Sequence, residues 1–345
     1  MNIKNPDRRL SIAPMMDHTD RHFRFFLRLI SKHALLYTEM ITSRAIIHGD
    51  NERLLGYSES EHPLAIQIGG SDPYELAVCT QIAEDLGYDE VNLNAGCPSD
   101  RVQSGRFGAC LMTEPDLVAE CIYRMQKNAG IPVTIKTRLG VDNRDSYEEL
   151  VSFIKKVSDA GCNTFIIHAR KAWLKGLSPK QNRDIPPLDY EKVYQLKRDF
   201  PQSEIIINGG FTGKEDIIQQ FPKVDGVMIG RAAYHDPCLL AELECILFED
   251  TADIKSRQEI LQEYIKYIEQ QLAVGTNLHA MTRHILGLLQ GQPGARAFRR
   301  HLSENAHKQG KEKDVMKKAL AIVKNTTEIQ SGTFNSGTDR ILQNS

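Results

Sequence analysis

Long apolar runs are missing from this chain of 345 residues. None approaches the roughly 18 residues that a membrane-spanning helix needs, and the polar stretch 1–10 lacks the apolar centre of a secretion signal. The expectation is a cytoplasmic protein with no membrane partner. Paired cysteines are missing as well. The seven, at positions 79, 97, 110, 121, 162, 238 and 245, are odd in number and widely spread, with no C-x-x-C among them. Neither a disulfide framework nor a zinc ribbon is encoded, so no metal is expected, and a cysteine that matters must matter through its reactivity. What is present, 41% hydrophobic and 26% charged residues, excludes disorder, collagen and coiled coil and suits one large domain with a smaller one.

A formal net charge of −2 conceals an asymmetry. Residues 283–318 hold nine Lys or Arg against three Asp or Glu, while the rest of the chain has 34 basic and 42 acidic residues, a balance of −8. A basic segment on an acidic body is either one place for a polyanion or a solvated helical surface.

Eight short apolar runs recur, at 10–15, 35–40, 64–68, 90–93, 133–137, 164–168, 204–207 and 226–229. Their hydrophobicity is continuous rather than alternating, which predicts strands covered on both faces, as in a parallel sheet. Helical patterns lie between them. Residues 74–86 carry an apolar stripe that stops at Gly87; Ser146 with Glu149, and Thr212 with Glu215, have capping-box spacing. Eight βα units in about 240 residues predict an α/β fold, a TIM (β/α)8 barrel. The alternative, an open doubly wound sheet, is weakened because no G-x-G-x-x-G follows the first strand. From about 253 the texture changes to helices at 254–274, 277–289, 295–308 and 313–324. The expected organisation is a barrel over 1–250, a small all-α helical domain over 251–325 and a disordered tail over 326–345, rich in Ser, Thr, Asn and Gly.

Barrel enzymes keep their chemistry at the C-terminal ends of the strands. Strand one ends in Ala13-Pro14-Met15-Met16-Asp17, a bend that either offers amides and thioethers to a flat ligand or plugs the barrel mouth. Gln67 puts a donor and an acceptor into an apolar strand, and a buried amide needs partners. Lys136 in strand five must pair or bear a functional charge; His168, followed by Arg170, ends strand six. Asn208-Gly209-Gly210 and Gly230-Arg231 follow the last two strands, where barrels often bind phosphate. Asn94-Ala95-Gly96-Cys97-Pro98-Ser99 ends strand four. Cys97 is the cysteine placed on a Gly/Pro loop at the expected catalytic rim, suited to act as a nucleophile or as a proton donor beside a redox cofactor.

Taken in order, Ala13 to Asp17, the strand-four stretch ending in Cys97-Pro98-Ser99, and Gly230-Arg231 resemble the tRNA-dihydrouridine synthases, most closely their A-type bacterial subgroup. The resemblance spans about residues 10–308. It implies an FMN-dependent oxidoreductase in which Pro14, Met15, Met16, Gln67, Lys136, His168, Asn208, Gly209, Gly210, Gly230 and Arg231 hold FMN. NADPH would be the reductant, Cys97 would protonate C5 of a uridine, and Asn94 would hydrogen-bond the uracil edge. It further implies that Lys180 and Arg183 contact tRNA, with D-loop uridines 20 and 20a as targets. Arg296, Arg299 and Arg300 lie at i, i+3 and i+4, one helix face, and turn the charge asymmetry into a candidate RNA surface. A monomer is expected. Two other readings remain: an FMN-dependent reductase of a free pyrimidine, similar to dihydroorotate dehydrogenase, and a non-catalytic RNA-binding barrel.

Overall fold

The computed structural model describes residues 5–249 and 255–335. Eight parallel strands, β1 (Leu10–Ile12), β2 (Leu36–Thr42), β3 (Leu64–Gly69), β4 (Glu90–Asn94), β5 (Val133–Arg138), β6 (Thr164–His168), β7 (Glu204–Asn208) and β8 (Gly226–Ile229), hydrogen-bond in the order β1-β8-β7-β6-β5-β4-β3-β2. The ends of this sheet meet. Ser11 bridges Leu35 in parallel, Ile12 N donates to Leu35 O at 2.9 Å and Leu35 N donates to Leu10 O at 3.0 Å, so the sheet closes into the expected barrel. Burial explains the continuous apolar runs: every residue of β3 and β4 is buried, one side chain facing the barrel interior and the next the surrounding helices. Ala13, Leu35, Tyr37, Ala65, Ile166, Ile206 and Met228 form an apolar layer inside.

The chain divides into two compact units, one of Met1–Arg24 with His33–Arg231, the other of Phe25–Lys32 with Ala232–Ser345. The barrel unit therefore ends after Arg231, ahead of the change in texture near 253. In the helical unit Phe25 stacks on Tyr267 at 4.0 Å between ring centroids and Phe26 meets Tyr264 edge-on at 5.3 Å, which is why 25–32 belong to it. Its helices include Arg257–Ala273, opened by a Ser256/Glu259 capping box, and Ala295–Asn305. Among the described residues no helix is long and apolar enough to cross a membrane.

Four expectations need correction. β1 stops at Ile12 rather than at 15, because Pro14 has no N–H to donate and Asp17 takes a φ of 62° in the bend that follows. Thr212 does not cap a helix: Gly213 is the N-cap of Lys214–Ile218, Glu215 falls one position early for a box, and the Thr212 hydroxyl bonds Asp216 instead at 3.1 Å. Residues 277–289 are not one helix. Leu278–Thr282 is followed by turns with three-residue hydrogen bonds, such as His284 N to Met281 O, and at Gly287 a Cβ would lie 2.5 Å from His235 O, so this backbone is pressed against its neighbour. The Glu312–Asn335 helix continues ten residues beyond Asn325 into the stretch read as a tail; helix propagation from the packed Val315, Met316, Ala319 and Val323 accounts for this, and 336–345 lie outside the described residues.

Candidate active site

Strand β4 carries Glu90, Asn92 and Asn94 at alternate positions, hence on one face. That face is the barrel interior, and its upper end builds the Cys97 loop. Asn94 Oδ1 accepts from the backbone N–H of Gly96 at 3.1 Å and of Cys97 at 3.0 Å. Arg138 Nε donates to Gly96 O at 2.9 Å, and Ala109 N donates to Cys97 O at 2.8 Å. Gly108, with φ of 76°, makes the last contact possible: a Cβ there would sit 2.5 Å from Cys97 O and 2.3 Å from Val102 Cγ1. Cys97, partly exposed as a residue, is thus fixed from both sides through its backbone.

Beside it lies a cationic patch. Lys136, register partner of Asn94, makes no hydrogen bond or ion pair among the described residues. Burial, together with the Arg138 guanidinium, lowers its ammonium to about 7, with Cys97 acting in the opposite direction. Burial also lowers Arg138 to about 10 and holds the His168 imidazole well below its ordinary value, helped there by Arg138, Lys136, Arg170 and Arg183. That shift favours the uncharged imidazole, and its buried Nδ1 has no hydrogen-bond partner among the described residues. An unpartnered lysine and an orphaned imidazole nitrogen under several guanidinium groups are a place for an anionic, polar ligand.

The loops after β7 and β8 border this patch. Gly209 and Gly210 have φ of 120° and 80°, and Cβ atoms there would meet His168 Nε2 at 3.2 Å and Leu188 Cδ1 at 2.4 Å. Tyr190 hydroxyl donates to Gly209 O at 2.7 Å, and Asn208 Nδ2 donates to Met228 O at 2.7 Å. At Gly230 a Cβ would be 3.3 Å from Met15 Sδ, and Met15 N donates to the Thr19 hydroxyl at 3.0 Å. Pro14 and Met15 are half-buried, Met16 is 54% exposed, and Arg231 pairs with Asp184 at 3.0 Å. Gln67 sits between strands, its Oε1 accepting from Asn94 Nδ2 and its Nε2 donating to Asn92 Oδ1, both at 2.8 Å. The second Nε2–H of Gln67 has no partner among the described residues.

Lys180 and Arg183 are exposed on either side of the buried Asn182, which ties its segment together by accepting from Trp173 N at 2.7 Å and donating to Trp173 O at 2.9 Å. Arg296, Arg299 and Arg300 are exposed on the Ala295–Asn305 helix, with Phe298 and Leu302 buried, and belong to the helical unit. The structure therefore gathers Cys97, Asn94, Gln67, Lys136 and His168 with the Gly209 and Gly230 loops in one unit and leaves the three arginines in the other. Arg138 was missed as a site residue. It is 5% exposed and holds both the Cys97 loop and, through Nη1, the carbonyls of Lys171 at 3.1 Å and Asn182 at 2.9 Å. Its signal was available: Lys136 and Arg138 alternate in an apolar strand, so both face inward. Among the described residues no group of His, Cys, Asp or Glu is arranged to hold a metal ion.

A closed parallel βα barrel with a backbone-anchored cysteine at the C-terminal rim and a cationic pocket beside it defines a TIM-barrel enzyme. The sequence profile of the dihydrouridine synthase (Dus) family matches residues 11–325, and the chain belongs to that family. It is 58% identical over 320 residues to a tRNA-dihydrouridine(20/20a) synthase of Shewanella oneidensis, covering 93% of this chain and 95% of that protein. The protein of the same description from Synechocystis is 59% identical over 296 residues, 86% of this chain and 89% of the relative; that from Escherichia coli is 56% identical over 319 residues, 92% and 96%. Among solved structures, a 2-naphthoyl-CoA reductase complex superposes with a TM-score of 0.54 at 11% identity, covering 73% of this chain and 51% of that one. An old yellow enzyme homologue from Zymomonas mobilis gives 0.51 at 13%, covering 72% and 90%. These two likenesses are of fold.

Proposed function

We propose that this enzyme is a flavin-dependent tRNA-dihydrouridine synthase that uses FMN and NADPH to reduce D-loop uridines, at positions 20 and 20a, to 5,6-dihydrouridine. The observation that carries the reading is the anchored Cys97 beside an unpartnered Lys136 and the orphaned Nδ1 of His168. FMN fits these residues: Gly209, Gly210, Gly230 and Arg231 would take its phosphate, with Asn208 shaping the loop, while Pro14, Met15, Met16, Gln67, Lys136 and His168 would hold its ring. Bound there and reduced by NADPH, FMN would supply the hydride that adds to C6 of the uridine.

The chain's own part is to supply the proton and to stabilise charge. Hydride addition to an enone-like ring builds negative charge toward the uracil carbonyl, which the cationic patch of Lys136, Arg138 and Arg183 offsets. The Cys97 thiol donates its proton to C5, so that one hydride and one proton saturate the C5–C6 bond; an acid so placed accelerates a reaction by a factor of about 100 to 10,000. The thiol is needed protonated, unlike that of a cysteine nucleophile. Asn94 keeps one N–H that can reach the uracil edge. The target base must leave its stack to enter the barrel mouth, and Lys180, Arg183, Arg296, Arg299 and Arg300 would hold tRNA phosphates meanwhile.

The test is mapping of dihydrouridine in unmodified tRNA incubated with the protein, FMN and NADPH. Dihydrouridine at 20 and 20a is expected; a flavin-loaded protein that leaves tRNA unchanged but reduces free pyrimidines would overturn the RNA reading.

A further inference from the structure

The hydrogen bonds behind Asn94 continue to the far end of the barrel, and they all run the same way. Glu90 is fully buried at the opposite end of β4, about 13 Å from Asn94 for four residues of strand. Its Oε2 accepts from Arg8 Nε at 2.6 Å; its Oε1 accepts from the Tyr37 hydroxyl at 2.5 Å and from the Thr134 hydroxyl at 2.7 Å. Paired with a guanidinium, this carboxylate can only accept. Thr134 has one hydroxyl proton and gives it to Glu90, so at 2.9 Å it must accept from Asn92 Nδ2. Asn92 then has only Oδ1 to offer Gln67, which meets it with Nε2, and Gln67 has only Oε1 to offer Asn94, which meets it with Nδ2. Asn94 is left with Oδ1 for the loop.

The other end imposes the same sense. Backbone N–H groups of Gly96 and Cys97 can only donate, so they require Asn94 Oδ1. With an obligatory acceptor at the floor and obligatory donors at the mouth, the orientation of all three amides is determined twice over. Reversing any one of them would set donor against donor somewhere in a buried network, where an unmet group costs about 1–3 kcal/mol.

We infer that Glu90, Thr134 and Asn92 are positioning residues for the uridine reduction, acting through a one-way hydrogen-bond relay that orients Gln67 and Asn94 and thereby seats Cys97. The inference rests on the proposed function. Its physical content is that the mouth receives amide N–H groups, from Gln67 and Asn94, on the side where a pyrimidine or flavin carbonyl would lie, and that the Cys97 loop is steadied from the barrel floor.

Thr134→Val severs the relay with little change of shape, and Thr134→Ser restores the hydroxyl. Two readouts decide. In the flavin-free protein, alkylation of Cys97 by iodoacetamide, followed by peptide mass with Cys110 as internal reference, should change at least about threefold in Thr134→Val and return to the wild-type rate in Thr134→Ser. In the loaded enzyme, kcat for tRNA uridine reduction should fall about ten-fold in Thr134→Val, which loses the hydroxyl's bonds to both Glu90 and Asn92, with KM for tRNA within about twofold and rescue by Ser. Glu90→Gln, whose amide can donate as well as accept, should move both readouts the same way and serves if the valine variant does not fold. Unchanged Cys97 alkylation and unchanged kcat, or a loss that serine does not rescue, would overturn the relay. A wild-type enzyme that makes no dihydrouridine would instead defeat the functional reading, and the alkylation arm would still decide the relay.

Discussion

Strands β4 and β7 each run five residues from a glutamate to an asparagine, Glu90 to Asn94 and Glu204 to Asn208, and both glutamates meet Arg8, at 2.6 and 3.0 Å. They differ in the middle, where β4 has Asn92 and β7 has Ile206. Ile206 belongs to the apolar layer of the barrel, so on β7 the floor and the mouth are insulated from each other, and Asn208 is held sideways by the Met228 carbonyl. Asn92 replaces that insulation with two hydrogen bonds, and on β4 the mouth is held from the floor. One residue at the midpoint of a strand thus decides whether a polar group at the active rim is positioned from behind or only by its neighbour.

The most damaging change to this contrast is Asn94→Leu, which leaves the Gly96 and Cys97 amides without their acceptor and Gln67 Oε1 without its donor; it should lower uridine reduction about 100-fold, the two loop bonds alone being worth about 1.4 kcal/mol each. The equivalent Asn208→Leu should act chiefly on FMN affinity, measured by flavin fluorescence, and spare the reduction rate of the flavin-saturated enzyme. Next, Asn92→Leu makes β4 read like β7; a roughly ten-fold fall in single-turnover rate is expected. Its mirror, Ile206→Asn, should bring no gain and should cost about 1–3 kcal/mol in urea unfolding, because the new amide has no partner in the apolar layer.

Lys136 sharpens the contrast through pH. Its ammonium titrates near 7 in the fold against 10.5 in the ordinary case, so between those values the unfolded chain binds more protons and stability rises with pH. The burden of a buried charge is greatest below pH 7 and is relieved as pH climbs through that window. Lys136→Met should flatten the rise in the flavin-free protein. Binding of an anionic flavin should draw the lysine back to its charged form, with proton uptake at pH 8 in wild type and none in Lys136→Met; equal uptake in both proteins would show that another group is responsible. The smallest effect is expected in the helical unit, where Arg299→Ala should reduce the slope of log affinity for tRNA against log salt by about one.

Much of this is legible in the order of residues, and the rest fails for identifiable reasons. Eight continuous apolar runs reveal eight strands because a parallel sheet buried on both faces demands them. Strand-end polar residues such as Lys136, His168 and Asn94 announce themselves because little else explains a polar group there. Thr212 misleads because the motif fits a cap one residue too early, and 277–289 misleads because helical periodicity survives in a chain that turns on itself. The relay is half visible: Glu90, Asn92 and Asn94 alternate within one strand, but Thr134 and Gln67 join them only through the register of β3, β4 and β5, which local pattern does not contain. Arg138 is half visible in the same way: its alternation with Lys136 marks an inward-facing side chain, but its three carbonyl partners come from distant segments.

The central claim is that Cys97 is the acid that completes uridine reduction at a flavin in this barrel mouth, and single-turnover reduction of tRNA by Cys97→Ala loaded with reduced FMN tests it directly. Flavin content and oxidation of NADPH should stay normal, with dihydrouridine formed about 100 to 10,000 times more slowly than in wild type. Dihydrouridine formed at the wild-type rate by the alanine variant would contradict it.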